Sequence, residues 1–170
     1  MLLSQIQSPT PFQPLFEIQM EISSFRSSWA NCGVIANYVA DMISDHCPDP
    51  IRHSNFFSAA LNELLEEAAR SDQGRGLLVC HVARSEKSHR LELAFPCLNT
   101  LRAEYEAAVA GLGVDSELEY IAILQDPGPQ RSKATLLGLA VNFAAEIALR
   151  DAGSDVVSFV VDLPIAGDLH

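Results

Sequence analysis

The sequence predicts an α+β fold: a two-layer sandwich in which helices cover one face of a mostly antiparallel mixed sheet. Three observations lead there. Gly76 to Ala83 and Arg90 to Phe95 are short apolar runs joined by a polar turn, Ser85 to Ser88, and pair naturally as a hairpin. Residues 28–45, 55–70 and 134–150 place apolar side chains at spacings of three and four, as helices with one buried face do. Strand-like runs stand near both ends, at Leu15 to Phe25 and Val156 to Leu163.

Residues 1–13 are rich in Ser, Gln, Thr and Pro and read as a flexible tail, leaving residues 14–170 as a single domain. Leu15 to Phe25 alternates, with Phe16, Ile18, Met20 and Ile22 on one side, which predicts a half-buried strand. Ser28 to Asp45 predicts a helix capped by Ser27 or Ser28. Cys47-Pro48-Asp49-Pro50 ends it, because proline disfavours helix in the residue before it. Asn55 to Arg70 predicts a second helix, capped by Ser54 or Asn55 and closed near Gly74. Its Phe57, Ala60, Leu61, Leu64 and Ala68 face the core, and its Glu63, Glu66, Glu67 and Arg70 face solvent. After the hairpin come helices at Asn99 to Leu112 and from Asp115 or Ser116 to about Leu124. A loop follows at Asp126 to Ser132, then a long helix at Ala134 to Arg150 and the final strand.

The chain has 170 residues, 48% of them hydrophobic and 19% charged, which suits one globular domain. A net charge of −11 argues against binding nucleic acid or an anionic membrane surface, both of which need a positive footprint. No stretch has the length and apolarity of a membrane span or a signal peptide. Cys32, Cys47, Cys80 and Cys97 are separated by 14, 32 and 16 residues, without a CxxC pair. The expectation is a cytoplasmic protein with reduced thiols in its core.

The order strand, helix, helix, strand, strand, helices, loop, helix, strand resembles the GHKL ATPase superfamily. That superfamily includes histidine-kinase ATPase domains and the anti-sigma-factor serine kinases. In those proteins the second helix carries a Glu and, four residues on, an Asn that helps hold magnesium on ATP. Glu63 matches the Glu, and Glu67 stands in the place of the Asn. The family's DxGxG segment corresponds to Pro96-Cys97-Leu98-Asn99-Thr100, which has neither Asp nor Gly; Asn99 could bond an adenine edge. Its GxGLGL box corresponds to Thr135 to Ala140, where Gly138-Leu139 keeps the end of the box and larger residues fill the earlier glycine positions. Pro127-Gly128-Pro129 is short and stiff for an ATP lid.

The resemblance therefore implies a degenerate nucleotide site, with Glu67, Asn99, Gly138 and Leu139 as its remnant, no catalytic residue and no cofactor. Within the superfamily the chain is most similar to small SiaB-like regulators. The implied function is partner switching: a pseudokinase that binds a STAS-domain protein or a sigma factor through the surface around Ser28 to Asp45 and the acidic second helix. A second implication is an active serine/threonine kinase using ATP and magnesium, with Glu63 acting on the attacking hydroxyl and Glu67 as a metal ligand. A third reading is a small α+β ligand-binding or dimerisation module, the homodimer included.

Other groupings carry less. Asp45, His46, Cys47, Asp49 and His53 are metal-ligand types within nine residues, but they span a helix end and two prolines, so no metal is expected. Cys80 and His81 are neighbours on a strand and point to opposite faces, so they form no nucleophile pair. GxSxG, Walker A, GxGxxG and HExxH motifs are absent from the sequence.

Overall fold

The computed structural model describes residues 11–71, 75–126 and 128–165. Most of the expected tail, along with Gly74 and Pro127, lies outside the described residues. Strand β1 runs Gln13–Glu21, so the strand begins inside the stretch read as tail. It ends four residues before Phe25, where the chain turns into a short helix, α1 (Ile22–Ser27). The reason is legible: alternation stops at Ser23-Ser24, and Ile22 and Phe25 are three apart and both wholly buried.

Helix α2 (Ala30–Ser44) packs against α3 (Pro50–Arg70). Helix α3 starts five residues earlier than its periodicity suggests. Asp49 is the N-cap, accepting from the Arg52 N–H at 3.1 Å, and Pro50 opens the helix. Proline has no N–H to lose there, so the dipeptide that stops one helix starts the next. Strands β2 (Leu77–Arg84) and β3 (Ser88–Pro96) form the expected hairpin, with Arg84 opposite His89 at its closed end. Gly76 precedes β2 at φ +122°, and a Cβ there would stand 2.5 Å from Pro96 Cγ, so only glycine fits.

Helices α4 (Asn99–Ala110), α5 (Ser116–Gln125) and α6 (Arg131–Phe143) follow. The helix expected through Arg150 stops at Phe143. Ala144 takes φ +49°, the Ala145 N–H reaches back to the Leu139 carbonyl at 3.3 Å, and Glu146–Arg150 becomes strand β4. Glu, Ala, Leu and Arg favour helix locally, but pairing with β5 (Val156–Pro164) overrides that preference. In β4 the partly buried Ile147 and Leu149 alternate with exposed Glu146, Ala148 and Arg150.

The sheet order is β1-β2-β3-β5-β4, and all four pairings are antiparallel, so among the described residues this is an open antiparallel α+β sandwich and not a mixed sheet. One face is apolar: Leu78, Cys80, Val82, Leu91, Leu93, Phe95, Val157, Phe159 and Val161 join Phe57, Leu61, Leu64 and Ala68 of α3 in one core. The other face is polar and tied across strands. Arg90 grips Asp162 with two bonds of 2.7 Å, and Arg150 grips Glu92 at 2.6 and 2.9 Å. Among the described residues no helix is long and apolar enough to cross a membrane.

Candidate functional site

Helix α3 presents its two key carboxylates in opposite ways. Glu63 is exposed, as expected. Glu67 is not on the solvent face: it is 3% exposed, because it lies between Leu64 and Ala68 on the side turned towards α4 and α6. Three donors converge on it. The Tyr105 hydroxyl of α4 donates to Oε1 at 2.7 Å, the Ser132 hydroxyl of α6 donates to the same oxygen at 2.6 Å, and Arg70 Nη2 donates to Oε2 at 3.0 Å. A buried carboxylate is costly unless it is paired and bonded, and this one is both.

Burial, the largest influence, pushes the Glu67 pKa up. The bonds from Ser132, Tyr105 and Arg70 together outweigh it and hold the carboxyl below its ordinary range. Tyr105 responds the other way: burial and the facing carboxylate push its hydroxyl well above the usual phenol value. Its ring is fixed by edge contacts with Phe159 at 5.0 Å and Phe95 at 6.4 Å between centroids.

The other remnant residues do not gather on Glu67. Asn99 is exposed at the first turn of α4. Leu139 is buried in the core. Gly138 is buried against α5, where an added Cβ would meet the Tyr120 ring at 3.2–3.3 Å. Tyr120 thus occupies the space beside the one retained glycine. An open hollow of about 370 Å³ adjoins the Glu67 network, lined by Glu104, Ala107, Ala108, Gln130, Ser132 and Lys133 among others.

A different feature marks the surface. Val34, Tyr38 and Met42 of α2, four residues apart, are 65%, 66% and 50% exposed. They form an apolar stripe with Asp45 exposed beside it, while Asp41 accepts from the Ser54 hydroxyl of α3 at 2.7 Å. Helix α5 is also apolar outward, with Leu118, Ile121 and Leu124 exposed.

The group of metal-ligand types near the first helix end is split by the fold. Asp45, His46 and Asp49 are exposed, whereas Cys47 and His53 turn inward and meet His89 of β3. His89 stood out by no sequence signal; it lies 36 residues from His53. Tyr105 and Ser132, 38 and 65 residues from Glu67, were hidden for the same reason. Cys80 is buried and His81 exposed beside Glu17, on opposite faces as expected. Burial pushes the Cys80 thiol up to about 12 and, with Glu66, the Cys32 thiol up to about 11, so neither is a ready nucleophile.

No family model matches this chain, and no curated protein matches it significantly. Among solved structures it is similar to a chain of the SiaB–SiaC complex from Pseudomonas aeruginosa, at 15% identity and a TM-score of 0.54, over 90% of this chain and 91% of that one. At that identity the likeness establishes a shared α+β fold.

Proposed function

We propose that this chain is a cytoplasmic partner-switching regulator that binds another protein and whose ATPase-like site is degenerate. The observation that carries the reading is the exposed stripe of Val34, Tyr38 and Met42 on α2. Exposed apolar side chains in a row cost solubility unless something covers them, and aromatic residues with a polar handle are favoured at interfaces. The shared fold supports the reading, since the solved neighbour is a chain of a two-protein complex. The net charge of −11 and the exposed Asp45 beside the stripe favour a partner with a basic surface; a STAS-domain protein or a sigma factor is the partner proposed.

Nucleotide chemistry fits the geometry less well. Glu67 stands where the family places its magnesium-binding Asn, and both its oxygens are engaged by donors from α3, α4 and α6. To ligate magnesium it would have to give up bonds that offset its burial. Tyr120 fills the space beside Gly138 that a phosphate cradle would need.

The test is site-specific photocrosslinking from position 38 in the native cytosol, with Met42→Asp as the interface variant. The expected result is a crosslink to a STAS-domain protein or a sigma factor that Met42→Asp abolishes. A crosslink only to a second copy of this chain would assign the stripe to a homodimer and overturn the partner-switching reading.

A further inference from the structure

We infer that Cys47, His53 and His89 form a binding site for one thiophilic d10 metal ion, and that Cu+ is taken in preference to Zn2+. One donor atom from each residue lies within 4.8 Å of the others, and all three residues are buried. His53 Nε2 and His89 Nδ1 are 3.1 Å apart. Two imidazole nitrogens bound at roughly 2.0–2.1 Å to one three-coordinate ion stand about 3.5 Å apart, so the pair needs to open by only about 0.4 Å to chelate.

The two facing nitrogens meet through a single proton. Two ring nitrogens at that distance must share a proton, because two lone pairs would repel. Among the described residues the Cys47 thiol meets the Ile43 carbonyl at a long 3.8 Å. An ion held by the thiolate and the two facing nitrogens releases the Cys47 proton to solvent, and the proton between the rings moves to the far nitrogen of the ring that carries it, so that both facing lone pairs bind the ion.

The donors come from three parts of the fold, with Cys47 in the turn between α2 and α3, its N–H bonded to the Ser44 carbonyl at 2.9 Å. Cys47 follows α2, His53 sits in the first turn of α3 behind the Asp49 cap, and His89 is fixed in β3 between β2 and β5. Phe56 and Phe57 flank the two rings, with centroids 5.7–6.5 Å away, and make the surroundings apolar.

Charge and ligand number select the ion. Arg84 is paired directly across from His89, so a cation is already beside the site. Thiolate with Cu+ is neutral, whereas thiolate with Zn2+ leaves a net positive charge in a buried apolar place next to Arg84. Structural zinc usually takes four ligands, and among the described residues no fourth His, Cys, Asp or Glu joins the cluster. A soft thiolate with two imidazoles suits three-coordinate Cu+.

The experiment is an anaerobic competition for Cu+ between the full chain and bathocuproine disulfonate, read from the chelator's absorbance, with a parallel Zn2+ titration. Wild type should remove one Cu+ per chain from the chelator, and bound Cu+ should raise its melting temperature. Cys47→Ser and His89→Gln should each weaken uptake at least tenfold, while Cys32→Ser should leave it unchanged. If His89→Gln does not fold by circular dichroism, Cys47→Ser and the wild-type melting shift decide. No Cu+ uptake by wild type, equal uptake by Cys47→Ser, or tighter Zn2+ than Cu+ binding overturns the inference.

Discussion

The Tyr105 hydroxyl donates to Glu67 Oε1 at 2.7 Å inside the protein, joining α4 to α3 through a charge that the sequence places on a solvent face. The bond has one end locked by aromatic packing on Phe159 and the other by Arg70 and Ser132. Removing one donor from such a group exposes the cost of the buried charge. Tyr105→Phe keeps the ring and deletes the bond, and should destabilise by about 1.5–3 kcal/mol in urea unfolding. An unchanged midpoint would mean that Ser132 and Arg70 suffice.

The same carboxylate sets a pH dependence. Its pKa in the folded protein lies below the ordinary value, so its contribution is present above the unfolded value of ~4.3. That contribution is lost as pH falls through the lower folded value. Stability differences between wild type and Glu67→Gln, measured from pH 3 to 7, should be largest near neutrality and shrink in acid. A difference that grows in acid would show that the pKa is raised.

Leu64 is 1% exposed in the core, while Glu66 meets Arg70 at a partly exposed site. Leu64→Ala should cost about 2–5 kcal/mol through lost burial and a cavity. Glu66→Ala should cost less than about 1 kcal/mol. Thermal melts of the two variants, side by side, check the orientation of α3.

Ala144 holds φ +49° where α6 gives way to β4. A left-handed conformation costs an L-residue roughly 1–2 kcal/mol and costs glycine almost nothing sterically. Ala144→Gly should therefore stabilise by about 0.5–1 kcal/mol, read as a raised unfolding midpoint. A lowered midpoint would mean that the unfolded chain's extra freedom dominates.

With magnesium and millimolar ATP, calorimetry should give no saturable heat, because Glu67 is engaged and Tyr120 fills the space beside Gly138. Ligand at about 100 times Kd would add ~2.7 kcal/mol of stability, so a thermal shift would reveal binding readily. Saturable binding with phosphate transfer that Glu63→Ala abolishes would establish the kinase alternative.

What the sequence determined by itself is what periodicity encodes. The apolar face of α3, the β2–β3 hairpin, the helix at Asn99 and the final strand depend on neighbours two to four residues apart, and each lies where its pattern places it. The tertiary structure decided whatever depends on distant partners. Glu146–Arg150 is a strand because β5 offers it a ladder, against its local preference for helix. Glu67 is inside because Tyr105 and Ser132 come to it from other helices. Cys47 and His53 stand six residues apart around two prolines, and a hairpin strand brings His89 to them. Local sequence carries periodicity and caps, whereas the cost of burying a polar group is settled only by which remote side chains arrive to bond it.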